Sequence, residues 1–197
     1  MIEAAAASAA AAFADEPSLA YSLPDPSKRA NMARIFSYYM NLDLWSGSDM
    51  FVTSPRCEGI AVWQNQNVKS SWLLQLRAGL LTLPYYAGWH FVRYERKEEK
   101  FYQALKNKHA PRRHLYLALL AVAPPYQGKG YAGRLLRPVT AYLDRHDLPC
   151  YLETQNMPNV NMYRRYGFEL LESTHYPPGT ECEVHVMLRK PTVSKLA

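Results

Sequence analysis

The run Leu115–Arg137, LYLALLAVAPPYQGKGYAGRLLR, constrains the fold more than any other part of the chain. Leu115–Ala123 is nine consecutive apolar or aromatic residues, enough for a buried strand and few for a buried helix. Pro124 and Pro125 then end the pairing, since neither has an N–H to give to a ladder. Gln127, Gly128, Lys129, Gly130, Tyr131, Ala132 and Gly133 follow, with Leu135, Leu136 and Val139 at helical spacing. The order is strand, small-residue turn, helix. Small residues let the backbone approach a ligand, and the unpaired N–H groups of a helix start attract anions. A phosphate-bearing ligand suits such a turn, although glycines that only close a tight turn would leave the same pattern.

Gly128-x-Gly130-x-x-Gly133 matches the dinucleotide fingerprint in form, and Glu153 lies twenty residues past its last glycine. Dinucleotide sites pass almost directly from strand to first glycine, whereas Pro124, Pro125, Tyr126 and Gln127 intervene here. An ATPase phosphate loop needs Ser or Thr after Gly-Lys, but Lys129 precedes Gly130 and Tyr131.

At 197 residues, 1–197 fits one domain with a sizeable core. The net charge of +6 and pI of 9.2 suit an anionic ligand. The basic residues are scattered, however, and the densest run, Arg96-Lys97-Glu98-Glu99-Lys100, mixes signs as a solvated helix face does. No nucleic-acid partner is expected. Cys57, Cys150 and Cys182 are odd in number and far apart, without metal-ligand spacing or a disulfide framework. A reducing cytoplasm is therefore expected, and no metal. The Ala-rich start lacks a basic n-region and carries Glu3, unlike a secretory signal. No stretch reaches the ~18 uncharged apolar residues of a membrane span.

The rest reads in order. Residues 2–14 favour a helix. Asp25-Pro26-Ser27 supplies a cap and a first-turn proline, and Met32, Ile35, Phe36, Tyr39 and Met40 form the apolar stripe of the helix after it. Met50–Thr53 and Gly59–Trp63 read as a strand pair joined around Pro55. Trp72 to Tyr94 is dense in large apolar groups, divided by Pro84 and Gly88 into a helix and a turn; it can line an apolar pocket or serve as core. Phe91, Tyr94, Glu98, Phe101 and Leu105 share one face of a charged helix. Pro138 is expected to kink or interrupt the helix after the glycine turn. Pro149–Thr154 reads as a second core strand, parallel to the first. Residues 158–166 form a short helix that Gly167 ends, Phe168–Leu171 begins another strand, and Glu181–Lys190 alternates as an antiparallel strand with one buried face. The last few residues are expected to fray.

Gln127-x-x-Gly130-x-Ala132 after a Val-x-Pro strand end resembles the acetyl-CoA loop of the GCN5-related N-acetyltransferase (GNAT) superfamily. Downstream, Asn156, Tyr163 and Gly167-Phe168 resemble that superfamily's second motif. His114-Leu-Tyr-Leu, Val122-x-Pro-x-x-Gln-Gly-Lys-Gly, Cys150-Tyr-Leu-Glu-Thr and Asn159-Val with Tyr163-Arg-Arg-Tyr-Gly-Phe are together similar to the puromycin N-acetyltransferase branch. The likeness is dense over 114–170, thinner at Ala11–Pro17 and Gly59–Trp63, and essentially absent over 65–110, where acceptor walls would differ. The superfamily usually opens with a strand before its first helix; here Met1 stands at or near the helix, so that strand is expected to be missing or replaced.

The resemblance implies an α/β, three-layer fold: a mixed, mostly antiparallel sheet with two splayed parallel core strands, flanked by helices. It implies acetyl transfer from acetyl-CoA to a primary amine of a small molecule, with a homodimer left open. A non-catalytic CoA-binding module and a peptide-amine acetyltransferase are the alternatives. By position, the backbone of Leu120, Ala121 and Val122 would pair with the pantetheine arm. Gln127 belongs to the loop motif, and the N–H groups of Gly128, Lys129, Gly130, Ala132 and Gly133 would cradle the pyrophosphate. Lys129 and Arg134 can add charge-assisted bonds. Asn156 would bond a CoA amide or order a water, or else it forms the turn before Pro158. Tyr163 takes the position of the acid that protonates the departing thiolate. Glu153, on the second core strand, is the expected base, its pKa raised by burial; His109, His114 and His185 are rivals.

Overall fold

The computed structural model describes residues 1–65 and 71–192, and the expected tail and part of the 65–110 acceptor region lie outside them. The chain begins with α1 (Ile2–Ala12), whose Ala5, Ala6 and Ala9 are buried. Two short helices follow, α2 (Leu19–Ser22) and α3 (Pro26–Arg29). Asp25 caps α3 alone, by accepting from the Ser27 N–H, and the stripe of Met32, Ile35 and Met40 belongs to a separate helix, α4 (Met32–Trp45). Tyr38, rather than Tyr39, completes the buried face of α4.

The sheet begins with β1 (Asp49–Val52) and β2 (Gly59–Asn65), an antiparallel pair as expected. Then come α5 (Trp72–Ala78) and α6 (Leu83–His109). Pro84 sits in the first turn of α6, where a missing N–H costs nothing, so it opens the helix instead of dividing it. Non-helical backbone at Gly88 kinks α6. The apolar 72–94 segment is only partly core: Leu83, Ala87 and Phe91 are buried, whereas Trp72, Leu81, Tyr85 and Trp89 are 66–82% exposed.

β3 (Leu115–Val122) runs into a 3₁₀ turn at Pro124–Tyr126, and α7 (Tyr131–Arg145) follows. Pro138 does not interrupt α7, and its ring faces solvent. β4 (Cys150–Thr154), α8 (Met157–Arg164), β5 (Phe168–His175) and β6 (Glu183–Arg189) complete the fold. The six strands are ordered β1-β2-β3-β4-β6-β5, antiparallel except for β3 and β4. β6 therefore lies between two strands and is covered on both faces, with Val184, His185, Val186 and Met187 all buried; the expectation of one wet face fails for that reason.

Two features of β3 shape the middle of the sheet. Its parallel pairing to β4 stops after Leu115–Cys150 and Tyr116–Tyr151, so the strands splay beyond Tyr116. Its pairing to β2 skips one residue, since Trp63 faces Leu117 and Val62 faces Leu119, which leaves Ala118 as a bulge. A bulge bends its strand and sharpens the local twist, and this one falls where β4 departs. Helices α7 and α8 cover one face of the sheet, around Leu117, Leu136, Leu152 and Met187. Helices α1, α4 and α6 cover the other. Arg189 ties β6 to α7 by donating from Nη2 to both Asp144 oxygens, at 2.8 and 2.7 Å. No helix among the described residues is long and apolar enough to cross a membrane.

Candidate active site

The splay leaves one edge of β3 bare. The Ala123 N–H donates to the Glu58 carbonyl at 2.9 Å, and in this register the alternate pairs Ala121–Ile60 and Leu119–Val62 are the hydrogen-bonded ones. Leu120 and Val122 therefore turn their backbone groups toward the gap. Ala121 does not, because its N–H and C=O belong to the β2 ladder. Of the three residues expected along this edge, two face the gap. Gln127 folds back so that its Nε2 donates to the Val122 carbonyl at 3.0 Å, bracing the loop against the strand end.

Gly128 and Gly130 have φ of +72° and +80°, left-handed conformations that strain a side-chain-bearing residue. An added Cβ at either would touch nothing within 4 Å, so conformation, not space, requires glycine there. Gly130 is the N-cap of α7 and supplies no side-chain acceptor. The turn is tied by Tyr126 and Gln127, and the first helical bond is Arg134 N–H to Gly130 O at 3.2 Å. Between these, the amides from Gly128 to Gly133 have no turn carbonyl to donate to among the described residues. This is a row of free donors at the positive end of a 15-residue helix, the arrangement that holds pyrophosphate. Gly133 has a second reason to be glycine: a Cβ would stand 2.6 Å from the Tyr166 hydroxyl. Ala132 is half-buried in the first turn. Lys129 donates to the Pro125 carbonyl at 2.7 Å, and Arg134 lies 4.8 Å from the Tyr131 ring centroid; both are exposed at the rim.

Asn156 caps α8, its Oδ1 accepting from the Asn159 N–H at 2.9 Å. Its turn-forming role is thus present, and its Nδ2 is left over for another partner. Tyr163, on α8, is 6% exposed and packs edge-on against Phe168 with centroids 5.6 Å apart. Its hydroxyl makes no hydrogen bond to the protein among the described residues. Burial, with a smaller push from the Cys150 thiol, raises its pKa and keeps the proton on.

Tyr163 and Glu153 lie on opposite faces of the sheet. Cys150 and Leu152 pack with Tyr163 on the α7–α8 side, whereas Tyr151 packs against Tyr94 and Leu105 of α6. Strand alternation puts Glu153 with Tyr151. Burial raises the Glu153 pKa, against the opposing influence of the Tyr151 and Tyr116 phenols and of Lys106. Its Oε1 is buried without a partner. The rival histidines are engaged elsewhere: His109 with Glu172, His114 with the Pro111 carbonyl at 2.7 Å, and the fully buried His185 with Ser173 at 2.8 Å. Lys106 hangs its ammonium 3.5 Å from the Tyr116 ring centroid, beside Glu153.

Sequence reasoning missed the company that Glu153 keeps. Glu95, Glu98 and Tyr102 of α6 and Tyr39 of α4 join it on this face, and burial raises all four pKa values, that of Glu98 to about 8. The signal was present, for Glu98 falls within the otherwise apolar stripe of Phe91, Tyr94, Phe101 and Leu105. Among the described residues no group of three or more His, Cys, Asp and Glu could hold a metal, and the three cysteines are free and buried.

Residues 86–168, from α6 to the start of β5, match the model of the Acetyltransferase (GNAT) family. An uncharacterised N-acetyltransferase of Schizosaccharomyces pombe is 26% identical over 204 residues, which cover 98% of this chain and 81% of that protein. Two crystal structures share the fold. One, from Corynebacterium glutamicum and described as histone acetyltransferase HPA2 and related acetyltransferase, has a TM-score of 0.66 at 19% identity, over 99% of this chain and 93% of that one. The other, a putative GNAT acetyltransferase of Desulfovibrio desulfuricans, has a TM-score of 0.52 at 12% identity, over 94% and 91%. These matches make the chain similar to N-acetyltransferases of the GNAT family, and the splayed strands and the glycine turn agree with that likeness.

Proposed function

We propose that the chain acts as one domain that transfers the acetyl group of acetyl-CoA to a primary amine of a small molecule. The observation that carries this reading is the gap between β3 and β4, with the uncapped start of α7 on one face and Glu153 on the other. Bound acetyl-CoA would supply an activated thioester. The amides from Gly128 to Gly133 would hold its pyrophosphate, the free edge of Leu120 and Val122 its pantetheine arm, and Asn156 Nδ2 one of its amides.

Glu153 would take a proton from the incoming ammonium, directly or through one water, at a pKa that burial moves toward neutrality. Tyr163, protonated at any physiological pH, would donate from Oη to the departing sulfur. Approaching from opposite faces, the base and the acid serve the two ends of one transfer without sharing a proton. The motif likeness to the puromycin branch and the covering of the acceptor face by α4 and α6 favour a small acceptor over a peptide.

A thiol-release assay over small primary amines and short peptides with free α-amines tests this. An acetylated small amine is expected. Acetyl-CoA binding without acetylation of any amine would replace the proposal with a non-catalytic CoA-binding module, and acetylation of peptides alone would make the enzyme protein-directed.

A further inference from the structure

The acceptor face buries a pair of carboxyls with no basic side chain paired to them among the described residues. Glu95 and Glu98 stand one helical turn apart on α6, and the Tyr39 hydroxyl donates to Glu95 Oε2 at 2.6 Å. The Tyr102 phenol accepts from Gln155 Nε2 at 2.9 Å and lies within electrostatic reach of both Glu98 and Glu153. Among the described residues neither Glu95 nor Glu98 makes an ion pair, and the cation that acts on Glu153 is Lys106. Burial, followed by the charge of Glu95, pushes Glu98 up to about 8. The Glu98 carboxyl donates a hydrogen bond to Glu95, so a proton holds the place between them that a cation would take.

A second, independent observation points to a ligand. Tyr94 is 8% exposed, yet its hydroxyl has no partner among the described residues. It stands one helical turn from Glu98 on the same face of α6, within that carboxyl's electrostatic reach. Buried polar groups are almost always satisfied, and an orphaned phenol beside this carboxyl pair marks a polar group that lacks its partner. Carboxylates supply charge and tyrosine faces supply cation–π attraction, a combination that suits an alkylammonium and repels an anion.

We infer that the acceptor carries a second cationic nitrogen, held by Glu95 and Glu98 while its reacting amine stands at Glu153. This deepens the acetyl-transfer reading and rests on it, naming the acceptor class as a diamine or a comparable dication.

The test compares diaminoalkanes of three to five carbons with amino alcohols of matching length, on the full chain and its Glu98→Gln variant. In the parent, kcat/KM for the best diamine should exceed that of its amino alcohol by about tenfold or more. In Glu98→Gln the ratio should fall toward one. Equal values in the parent, or a ratio that survives the substitution, would overturn the inference. A thermal-shift titration with the same diamines supplies a readout without turnover. If no amine is acetylated, the acetyl-transfer reading fails, while a diamine-specific Tm rise that Glu98→Gln removes still supports the dication site; without that rise both fail.

Discussion

Tyr163→Phe separates the proposed acid from an ordinary core aromatic. The substitution keeps the ring, and with it the edge-on contact to Phe168 at 5.6 Å and the packing with Leu136 and Leu152. It removes a hydroxyl that bonds to no protein atom among the described residues, so folding stability should change by less than about 1 kcal/mol. Catalysis should respond differently. A positioned proton donor is worth about 10²–10⁴ in rate, or roughly 3–5 kcal/mol of barrier. Thiol release should show kcat reduced by that factor, while calorimetry finds acetyl-CoA affinity within about threefold of the parent. A variant with an intact Tm and near-parental kcat would refute the reasoning, because the phenol would then be a core side chain only.

Two other substitutions test the scaffold of the site. Gly130→Ala places a Cβ where nothing crowds it but φ is +80°, which costs about 1–2 kcal/mol of backbone strain; acetyl-CoA affinity by calorimetry should fall about 5–30-fold as the turn relaxes away from the helix start. Asp144→Asn breaks the pair with Arg189, whose side chain is nearly buried, and should destabilise the fold by about 2–3 kcal/mol at pH 7 in chemical denaturation. Hydrogen bonds from Arg189 hold the Asp144 carboxyl below its ordinary pKa. The pair's contribution is thus complete above the unfolded value of about 3.9 and is lost as pH falls through the lower folded value. The difference between parent and variant should therefore close in acid, and one that persists at pH 2 would point to lost packing instead.

Local rules made much of the cofactor side legible. The apolar run of β3, the two prolines after it and the glycines before α7 each act within a few residues, so sequence reports them directly. Tertiary context decided the rest. The bulge at Ala118 resets which β3 residues face which layer, and no side chain there announces it. Ala121 alternates with its neighbours like any strand residue, and its backbone is lost to the site only because the pairing partner is β2. β6 alternates like a half-wet strand, but β4 and β5 on either side bring helices over both of its faces. The acidic side of the sheet was harder to read: Glu98 lies in the apolar stripe of α6, but Glu95 sits amid the charged part of that helix, and the packing of α6 over β4 shows that both are buried. The exposed Trp72, Leu81, Tyr85 and Trp89 show the converse, since apolar composition could not say which side of α5 and α6 meets the sheet.

Calorimetric titration of acetyl-CoA into the purified chain tests the central claim most directly. One saturable site per chain is predicted, weakened in Gly130→Ala and retained in Tyr163→Phe. The absence of saturable binding to the parent, with no accompanying rise in Tm, would contradict the account.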